Sequence, residues 1–297
     1  MTTDILLVGE SWSSTAVHAK GFDIFHSTTF HTGADAFVAA LEAEGRFRVT
    51  WLRAHEAAEG FPFDRDGLDR YRAVILSDVG ANTLLLPPEV WLHGRPVPNR
   101  LRRLRDWVAE GGGLAMVGGY LSFQGIDGRA RWHRTPVEEA LPVTMLPVDD
   151  RLEVPEGFRP VIRRAGHPIL ADLPPEPWPL LLGANEVRAR PEAEVLLTLP
   201  EEEGGHPLLV TGRWGRGRTL AWTSDIGPHW LPTAFSALGR IRTPDAAGGR
   251  LACGRGAGLT APGPGSGWRT ARGCGGGAVR PDGWSRRGKP GGSGGGT

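Results

Sequence analysis

Short apolar runs that alternate with helical patterns constrain the fold of this chain more than any other feature of its sequence. The runs are ILLV at 5–8, FRVTWL at 47–52, AVILSD at 73–78 and LAMV at 114–117. Segments 34–44 and 99–113 place apolar side chains on one helical side and end in glycine. Strands this apolar are typical of a parallel sheet that is covered on both faces. The pattern therefore predicts an α/β fold with a doubly wound, mostly parallel sheet.

Two extended runs later in the chain predict an antiparallel extension of that sheet. EVLLTL at 194–199 is followed by HPLLVTGRWGRGRTLAWTSD at 206–225, in which apolar runs flank GRWGRGR. We expect a hairpin whose turn lies near Trp214 to Gly217. The proline-rich stretch from about Leu121 to Pro191 is expected to carry short strands and long loops.

The segment GLAMVGGYLSFQG at 113–125 predicts a sharp bend after a buried strand. A small, apolar strand that leads into two glycines and then a polar side chain is typical of the strand-to-helix turn called a nucleophile elbow. If Gly118 and Gly119 make this turn, the residue presented at it is Tyr120. Ser122 is the nearby hydroxyl of the usual nucleophile type, and we expect it to cap the following turn instead.

The C-terminal part of the chain differs in composition from the rest. From about Ala237 onward it holds ten Lys or Arg and two Asp, a net charge of +8, so the other residues carry −7 of the total of +1. It is rich in glycine and has no apolar periodicity, and we therefore expect a disordered tail at 237–297 after a domain at 1–236. Two other interpretations are a basic arm for nucleic acid, which is less favoured, and translation out of frame after about Phe235.

Cysteine and histidine usage limits the chemistry of the domain. Both cysteines, Cys253 and Cys274, lie in the tail, which excludes a disulfide framework and a thiolate catalyst from the domain. The histidines form no HxxxH or HxH pair, so we expect no tight metal site and no other cofactor, although a weaker site made of Glu10, Asp78 and His229 stays open.

Targeting signals are not evident from the sequence. No stretch has the length of a transmembrane helix, and the start MTTDILLVGESW lacks the basic flank and long apolar core of a signal peptide. The expected location is therefore the cytoplasm.

Polar residues that directly follow the predicted strands are the candidate site residues. The carboxyl ends of parallel strands meet at one edge, and open α/β sheets bind ligands there. His229 is a candidate general base that Asp225 could orient, with a packed structural histidine as the alternative. The other candidate catalytic residues are Glu10 and Tyr120, and the candidate substrate-binding residues are His18, Lys20, Asp78, Asn82, Gly119 and Ser122.

Several of these candidates have an equally simple structural explanation. Glu10 could be an acid or the cap of the next turn. His18 and Lys20, in HAKGFD, could orient an anionic or polyhydroxy ligand or belong to a solvated loop. Asp78 and Asn82, in SDVGAN, could bond to the backbone of a turn.

Several long phrases carry a resemblance to a known family. They are GESW with HAKGFD, LSDVGANTLLL, NRLRRLRDWVAEGGGLAMVGGYLSFQGIDGRARW, TPVEEALPV, DDRLEVPEG, HPIL and GRGRTLAWTSDIGPHW, and they cover nearly all of 4–235. The chain resembles the putative glutamine amidotransferase family, a branch of the class I glutamine amidotransferase-like superfamily close to the ThuA-like trehalose-utilisation proteins. The resemblance implies a flavodoxin-like fold and places His229 where class I relatives keep their catalytic histidine. It ends at about Phe235, where relatives would continue with an aromatic-rich helix.

The family name and the residue at the bend point to different activities. Class I amidotransfer needs a cysteine at the bend, whose thiolate attacks the side-chain amide of glutamine, whereas a phenol such as that of Tyr120 has an ordinary pKa of about 10. We therefore expect no glutaminase activity. Three hypotheses stay open. The first is a hydrolase-like enzyme that acts on a small polar or sugar-like substrate, with His229 as general base and Glu10 or Asp225 assisting. The second is a non-catalytic metabolite-binding module, and the third is a structural subunit of an assembly. We expect a small polar molecule as the partner, with no membrane or nucleic acid, and a homo-oligomer is allowed.

Overall fold

The computed structural model describes residues 2–171 and 178–232. The predicted disordered tail at 237–297, the domain boundary at 236 and the out-of-frame hypothesis all lie outside these residues. The strands are β1 (Thr3–Gly9), β2 (Ser11–Lys20), β3 (Asp23–Thr32), β4 (Phe47–Leu52), β5 (Ala73–Ser77), β6 (Gly113–Val117), β7 (Val143–Met145), β8 (Arg151–Phe158), β9 (Val161–Ile162), β10 (Leu181–Asn185), β11 (Val187–Ala189), β12 (Glu194–Thr198), β13 (Pro207–Trp214) and β14 (Gly217–Trp222). The helices are α1 (Asp35–Glu42), α2 (Ala54–Gly60), α3 (Arg65–Leu68), α4 (Ala81–Leu85), α5 (Pro88–Trp91), α6 (Arg100–Ala109) and α7 (Pro136–Ala140), with 3-10 turns at Ile126–Gly128 and Glu201–Glu203.

The central sheet has eight strands in the order β4-β1-β5-β6-β14-β13-β12-β9. The pairings from β4 to β14 are parallel, and those from β14 to β9 are antiparallel. The hairpin of β13 and β14 closes at the pair Trp214 and Gly217. The doubly wound, flavodoxin-like α/β sheet with an antiparallel extension is therefore confirmed.

Alternate residues of the parallel strands build two cores, one on each face of the sheet. On one face, Leu6 and Val8 pack in a cluster with Leu101, Leu104 and Val108 of α6. On the other, Ile5 and Leu7 pack in a cluster with Phe37 and Leu41 of α1. Successive side chains of a strand point to opposite faces, so a strand that is buried on both sides must be apolar throughout. This is the physical reason for the uninterrupted runs in the sequence.

Strand β6 ends in a bend, as predicted, but no helix follows it directly. Gly119 has φ +147°, Phe123 φ 50° and Gly125 φ 69°, and the chain continues through a loop to the 3-10 turn at Ile126–Gly128. An α-helix cannot contain residues in this left-handed region, so the prediction of a strand-to-helix elbow was wrong. The bend instead leads from a strand into a loop.

The proline-rich stretch adds two small sheets beside the central one. β7 pairs with β11, and β8 pairs with β10, both antiparallel. These short strands, separated by loops, agree with the prediction for this stretch. They bring Asp150 and Asn185 beside the bend after β6, as the hydrogen bonds described below show.

Residues 11–32 form a two-stranded antiparallel ribbon that was not predicted. Its register runs from Ser11 opposite Thr32 to Lys20 opposite Asp23. Gly21 and Phe22 form the connecting loop, and Gly21 has φ +66°, as a tight two-residue hairpin turn requires. The strands are rich in Ser, Thr and His and show no clear alternation of apolar and polar residues, so the usual sequence signal of a strand is weak here. None of the helices in the described ranges is long and apolar enough to span a membrane.

Candidate active site

Four neighbouring parallel strands deliver the predicted site residues to one edge of the sheet. β1, β5, β6 and β14 are adjacent, and they are followed by Glu10, Asp78, the bend at Gly118–Tyr120 and the segment 223–229, respectively. Parallel strands place their carboxyl ends at the same edge, which is where open α/β sheets bind ligands.

Glu10 directly follows β1 at this edge and is 2% exposed. Its Oε2 accepts a hydrogen bond of 2.6 Å from the Ser77 hydroxyl, and its backbone N–H donates to the Ser77 carbonyl. Burial raises the pKa of the Glu10 carboxyl well above its ordinary value, and the nearby carboxylates of Asp225 and Asp78 raise it further. Glu10 therefore holds its proton at a pH where an exposed glutamate has lost it.

Asp225 is buried and lies beside His229. Its Oδ1 accepts hydrogen bonds from the N–H groups of Ile226 (2.7 Å) and Gly227 (2.9 Å). Its Oδ2 lies 3.8 Å from Nδ1 of His229, which is an ion-pair distance rather than a hydrogen bond. The interaction with Asp225 raises the pKa of the His229 imidazole, against the opposing effect of partial burial. The pair of Asp225 and His229 thus combines an oriented imidazole with a carboxylate that stabilises the imidazolium.

Two aromatic rings lie beside the His229 imidazole. It stacks on the Tyr120 ring, with centroids 5.0 Å apart and an interplanar angle of 16°, and lies 5.6 Å from the Trp12 ring. Trp12 in turn stacks on His31 at the base of the ribbon. The His229 side chain is 41% exposed, so it is held among these rings and is still open to solvent.

Tyr120 is placed at the bend, but its phenol is not activated as a nucleophile. Trp230 contacts its ring at 5.8 Å, and the Arg151 guanidinium lies 4.8 Å from the ring centroid. Partial burial raises the pKa of the Tyr120 hydroxyl, and the Glu153 carboxylate raises it further. The phenolate that a nucleophilic role would need is therefore disfavoured.

Asp78 and Ser122 connect the ends of β5 and β6. The Ser122 hydroxyl accepts a hydrogen bond of 3.0 Å from the Asp78 N–H, and the Leu121 N–H donates to Oδ1 of Asp78 at 2.6 Å. Burial raises the pKa of the Asp78 carboxyl to about 6. Ser122, which is 1% exposed, therefore joins two strand ends instead of capping the turn after the bend.

Backbone strain is concentrated among the candidate residues. Seven non-glycine residues in the described ranges have positive φ, and these include Glu10 (52°), Asp78 (44°) and His229 (145°). Such conformations cost free energy and persist only where the surrounding structure enforces them, which is common at functional sites.

Two predicted binding residues, His18 and Lys20, lie apart from this cluster, and a third, Asn82, is on α4. Asn82 is exposed in the first turn of α4. His18 and Lys20 are near the tip of the ribbon, and His18 bonds to Ser27 and stacks on Phe25. A strand rises about 3.4 Å per residue, so His18 is roughly 24 Å from the base of the ribbon at Ser11.

Two buried residues that the sequence analysis missed hold the bend in place. Asn185 accepts a hydrogen bond of 3.0 Å from the Gly119 N–H, and its Nδ2 donates to the Gly119 carbonyl and to Oδ1 of Asp150. Asp150 also accepts from the N–H groups of Gln124 and Gly125. The phrase DDRLEVPEG contains Asp150 but gave no indication of this role, and nothing in the sequence around Asn185 indicated it.

The candidate residues do not make a metal centre. Within the described ranges, no group of three His, Cys, Asp or Glu is arranged to hold a metal ion. The weaker site of Glu10, Asp78 and His229 that the sequence left open is therefore not among such groups.

Comparison with known proteins extends over most of the chain. Residues 4–242 match the model of a family described as putative glutamine amidotransferase. The cytoplasmic protein STM3548 from Salmonella typhimurium is 37% identical, with a TM-score of 0.75 over 80% of this chain and 95% of that one. The cytoplasmic protein STM1381 from Salmonella typhimurium LT2 is 39% identical, with a TM-score of 0.74 over 79% and 93%. A putative ThuA-like protein from Bacteroides uniformis ATCC 8492 is 12% identical, with a TM-score of 0.45 over 81% and 90%. Among curated proteins none matches.

Proposed function

The chain belongs to the putative glutamine amidotransferase family, and from that premise we propose that it is a hydrolase-like enzyme that acts on a small polar or sugar-like substrate and does not release ammonia from glutamine. The observation that carries the proposal is the pairing of His229, in a strained backbone conformation, with the buried Asp225 at the ligand-binding edge of the sheet. We also propose a cytoplasmic location, which the names of the two Salmonella proteins support.

His229 acts as the general base in this proposal. Because Nδ1 faces Asp225, Nε2 is the nitrogen that can take a proton from water. The resulting hydroxide attacks the electrophilic carbon of the substrate, and the bond to the leaving group breaks. The protonated His229 then gives that proton to the leaving group, and the protonated Glu10, which is 2% exposed, assists by adding no negative charge beside Asp225.

Attack by water is favoured over a covalent intermediate because no activated nucleophile is found at the bend among the described residues. The pKa of Tyr120 is raised, and Ser122 is buried with its hydroxyl bonded to the Asp78 N–H. Both cysteines of the chain are at positions 253 and 274. The lack of an activated nucleophile at the bend, among the described residues, also favours a second candidate function. This is a non-catalytic module that binds a metabolite at the same edge.

The rings beside His229 support a substrate with an apolar face. Tyr120 and Trp12 flank the imidazole, while Glu10, Asp78 and Asp225 supply carboxyl groups nearby. Small-molecule sites commonly combine aromatic walls with a few polar groups that fix orientation, and a sugar ring presents both kinds of surface.

Turnover assays on chromogenic esters, amides, lactones and glycosides test the proposal. His229→Gln should lower the turnover of any responding substrate by about 100-fold or more, because general-base catalysis contributes about that much. His206→Gln is a matched control, since His206 also lies 3.8 Å from a carboxylate, that of Glu186, and is not part of the site. Equal losses in both variants would contradict the assignment of His229.

A binding assay separates the two candidate functions. If sugars or polyols raise the unfolding temperature of the chain and no substrate is turned over, the binding module is the correct function. Glutamine is assayed in parallel. Ammonia release by the natural chain that Tyr120→Phe abolishes would contradict the proposed lack of glutaminase activity.

A further inference from the structure

The carboxyl group of Glu10 is held in one position. The Glu10 N–H donates to the Ser77 carbonyl at 2.8 Å, and the Glu10 carbonyl accepts from the Gly33 N–H at 3.0 Å. The side-chain Oε2 of Glu10 accepts from the Ser77 hydroxyl at 2.6 Å. The backbone of Glu10 has φ 52°, a left-handed conformation that the surrounding structure must enforce. The main chain and the side chain of this residue are therefore both fixed.

The other carboxyl oxygen of Glu10 fills the space between two glycines. A Cβ on Gly33, which directly follows β3, would overlap Oε1 of Glu10, and so would a Cβ on Gly227. Neither glycine has positive φ, so their backbone conformation does not call for glycine. Glycine fits at both positions because the carboxyl group lies where a side chain would go. Since Gly227 precedes His229 by two residues, Glu10 contacts the segment that carries the candidate base.

The backbone at His229 needs support from its surroundings. Its φ of 145° costs free energy and persists only where neighbouring groups enforce it. Oδ1 of Asp225 holds the preceding segment through the N–H groups of Ile226 and Gly227. Oε1 of Glu10 lies against Gly227 in the same segment. The Asp225 and Glu10 carboxyl groups together limit the conformations that the chain can adopt before His229.

Charge does not explain the place of Glu10 in the site. Burial and the carboxylates of Asp225 and Asp78 raise the pKa of Glu10, which favours its neutral form. The carboxylates that raise the pKa of the His229 imidazole are those of Asp225, Asp78 and Glu153. A neutral acid adds little to the electrostatic field at the imidazole, and a group that is 2% exposed is closed to a substrate. The effect of Glu10 on the base must therefore come from its shape.

We infer that Glu10 is a positioning residue, whose carboxyl group is held by Ser77, supports Gly227 and thereby sets the position of His229 beside Asp225. This role rests on the proposed function, because it concerns the base of that reaction. Glu10 itself contacts neither the substrate nor the reacting atoms. When its carboxyl group is removed, the segment 225–229 can relax into the space that is left, and the imidazole moves away from Asp225.

Steady-state kinetics on a responding substrate test the role of shape. Glu10→Ala should lower kcat by about tenfold or more and change KM by less than about threefold, because a misplaced base slows the chemical step. Glu10→Gln restores a neutral group of the same shape and should recover most of the lost kcat. Glu138→Ala is the matched control. It also removes a buried carboxyl group that accepts backbone hydrogen bonds, but at Arg134 and Met145, and kcat should stay within about threefold.

NMR titration of the His229 ring protons tests the position of the base without turnover. In the natural chain, the interaction with Asp225 raises the pKa of the imidazole. Glu10→Ala should lower this pKa by about 0.5 or more, towards the ordinary value of about 6.5, because the imidazole moves away from the carboxylate. Glu10→Gln should keep the pKa within about 0.2 of the natural value.

A double-mutant cycle tests the contact between Glu10 and Gly227. Gly227→Ala places a methyl group where Oε1 of Glu10 lies, and it should lower the midpoint of urea unfolding. In the Glu10→Ala background that space is open, so the same substitution should lower the midpoint by less than about half as much.

Several results would overturn the inference. If Glu10→Gln is as slow as Glu10→Ala, the acid proton is required and Glu10 has a chemical role. An unchanged His229 pKa in Glu10→Ala, or an equal cost of Gly227→Ala in both backgrounds, means that Glu10 does not support the segment. If no substrate responds, the proposed function fails, whereas the titration and the unfolding cycle still decide the role of Glu10.

A second variant keeps the test valid if Glu10→Ala does not fold, as judged by circular dichroism. Glu10→Asn then takes its place, with the same results expected. Its side chain is neutral and one methylene shorter, so it withdraws from Gly227, and asparagine tolerates the left-handed conformation at this position.

Discussion

The imidazole of His229 and the phenol ring of Tyr120 stack with centroids 5.0 Å apart and an interplanar angle of 16°. The two residues follow β14 and β6, which are neighbouring parallel strands although their paired residues, such as Arg218 and Gly113, are 105 positions apart in the sequence. The residue at the bend therefore contributes a ring surface beside the candidate base. In the proposed function, Tyr120 is therefore a wall of the site and not a nucleophile.

Replacement of Tyr120 should separate its ring from its hydroxyl. Tyr120→Phe keeps the stacked ring, and the turnover of a responding substrate should stay within about fivefold of the natural value. Tyr120→Ala removes the stack and should lower turnover by about tenfold or more, because an aromatic pair contributes about 0.5–1.5 kcal/mol beyond its area and the imidazole loses its fixed orientation. Steady-state kinetics of both variants provide the measurement. A larger loss in Tyr120→Phe than in Tyr120→Ala would restore a chemical role for the hydroxyl.

Removal of the charge beside His229 should change its titration. In the natural chain, Asp225 raises the pKa of the imidazole, so Asp225→Asn should lower that pKa, because a neutral amide no longer stabilises the imidazolium. A general base must be unprotonated, so the acidic limb of kcat/KM should move to lower pH in the variant. NMR titration of the His229 ring protons measures the first effect directly. Glu186→Gln, at the similar His206 pair, should leave the His229 curve in place.

Asp150 should make the stability of the domain depend on pH. Burial raises the pKa of its carboxyl from 3.8 to about 6. A group whose pKa is raised on folding stabilises the folded state below its unfolded pKa, and this contribution is lost as the pH rises through the folded value. The natural chain should therefore lose about 2 kcal/mol of unfolding free energy between about pH 4 and pH 7 relative to Asp150→Asn. Urea unfolding of both proteins at the two pH values measures this, and a difference that does not change with pH would contradict it.

The bend after β6 should tolerate no side chain at Gly118. A Cβ at this position would overlap the carbonyl group of Thr223, because the Gly118 N–H donates to the neighbouring Trp222 carbonyl and brings the two backbones together. Gly118→Ala should lower the unfolding free energy by about 2 kcal/mol or more. Gly166→Ala is the control, since a Cβ there meets open space, and it should change stability by less than about 0.5 kcal/mol. Denaturant titration of both variants gives the two values.

The sequence alone determined the sheet, its antiparallel extension and the edge at which the candidate residues gather. The runs at 5–8 and 73–78 are apolar because their strands are buried on both faces, and this signal is local. Glu10, Asp78 and His229 could be grouped because polar residues that follow parallel strands share one edge of the sheet. Both inferences need only the order of residues along the chain.

Only the tertiary structure decided how those residues are held and what surrounds them. Asn185 and Asp150 fix the bend through hydrogen bonds to Gly119, Gln124 and Gly125 across 25 to 66 positions, and no local pattern encodes such partners. The loop that replaces the expected helix after β6 depends on left-handed conformations, which include that of a phenylalanine. The ribbon of residues 11–32 is defined by cross-strand pairing and not by apolar alternation. Hydrogen bonding and backbone conformation at these places depend on residues that are distant in the sequence, whereas burial of a strand is recorded in its own side chains.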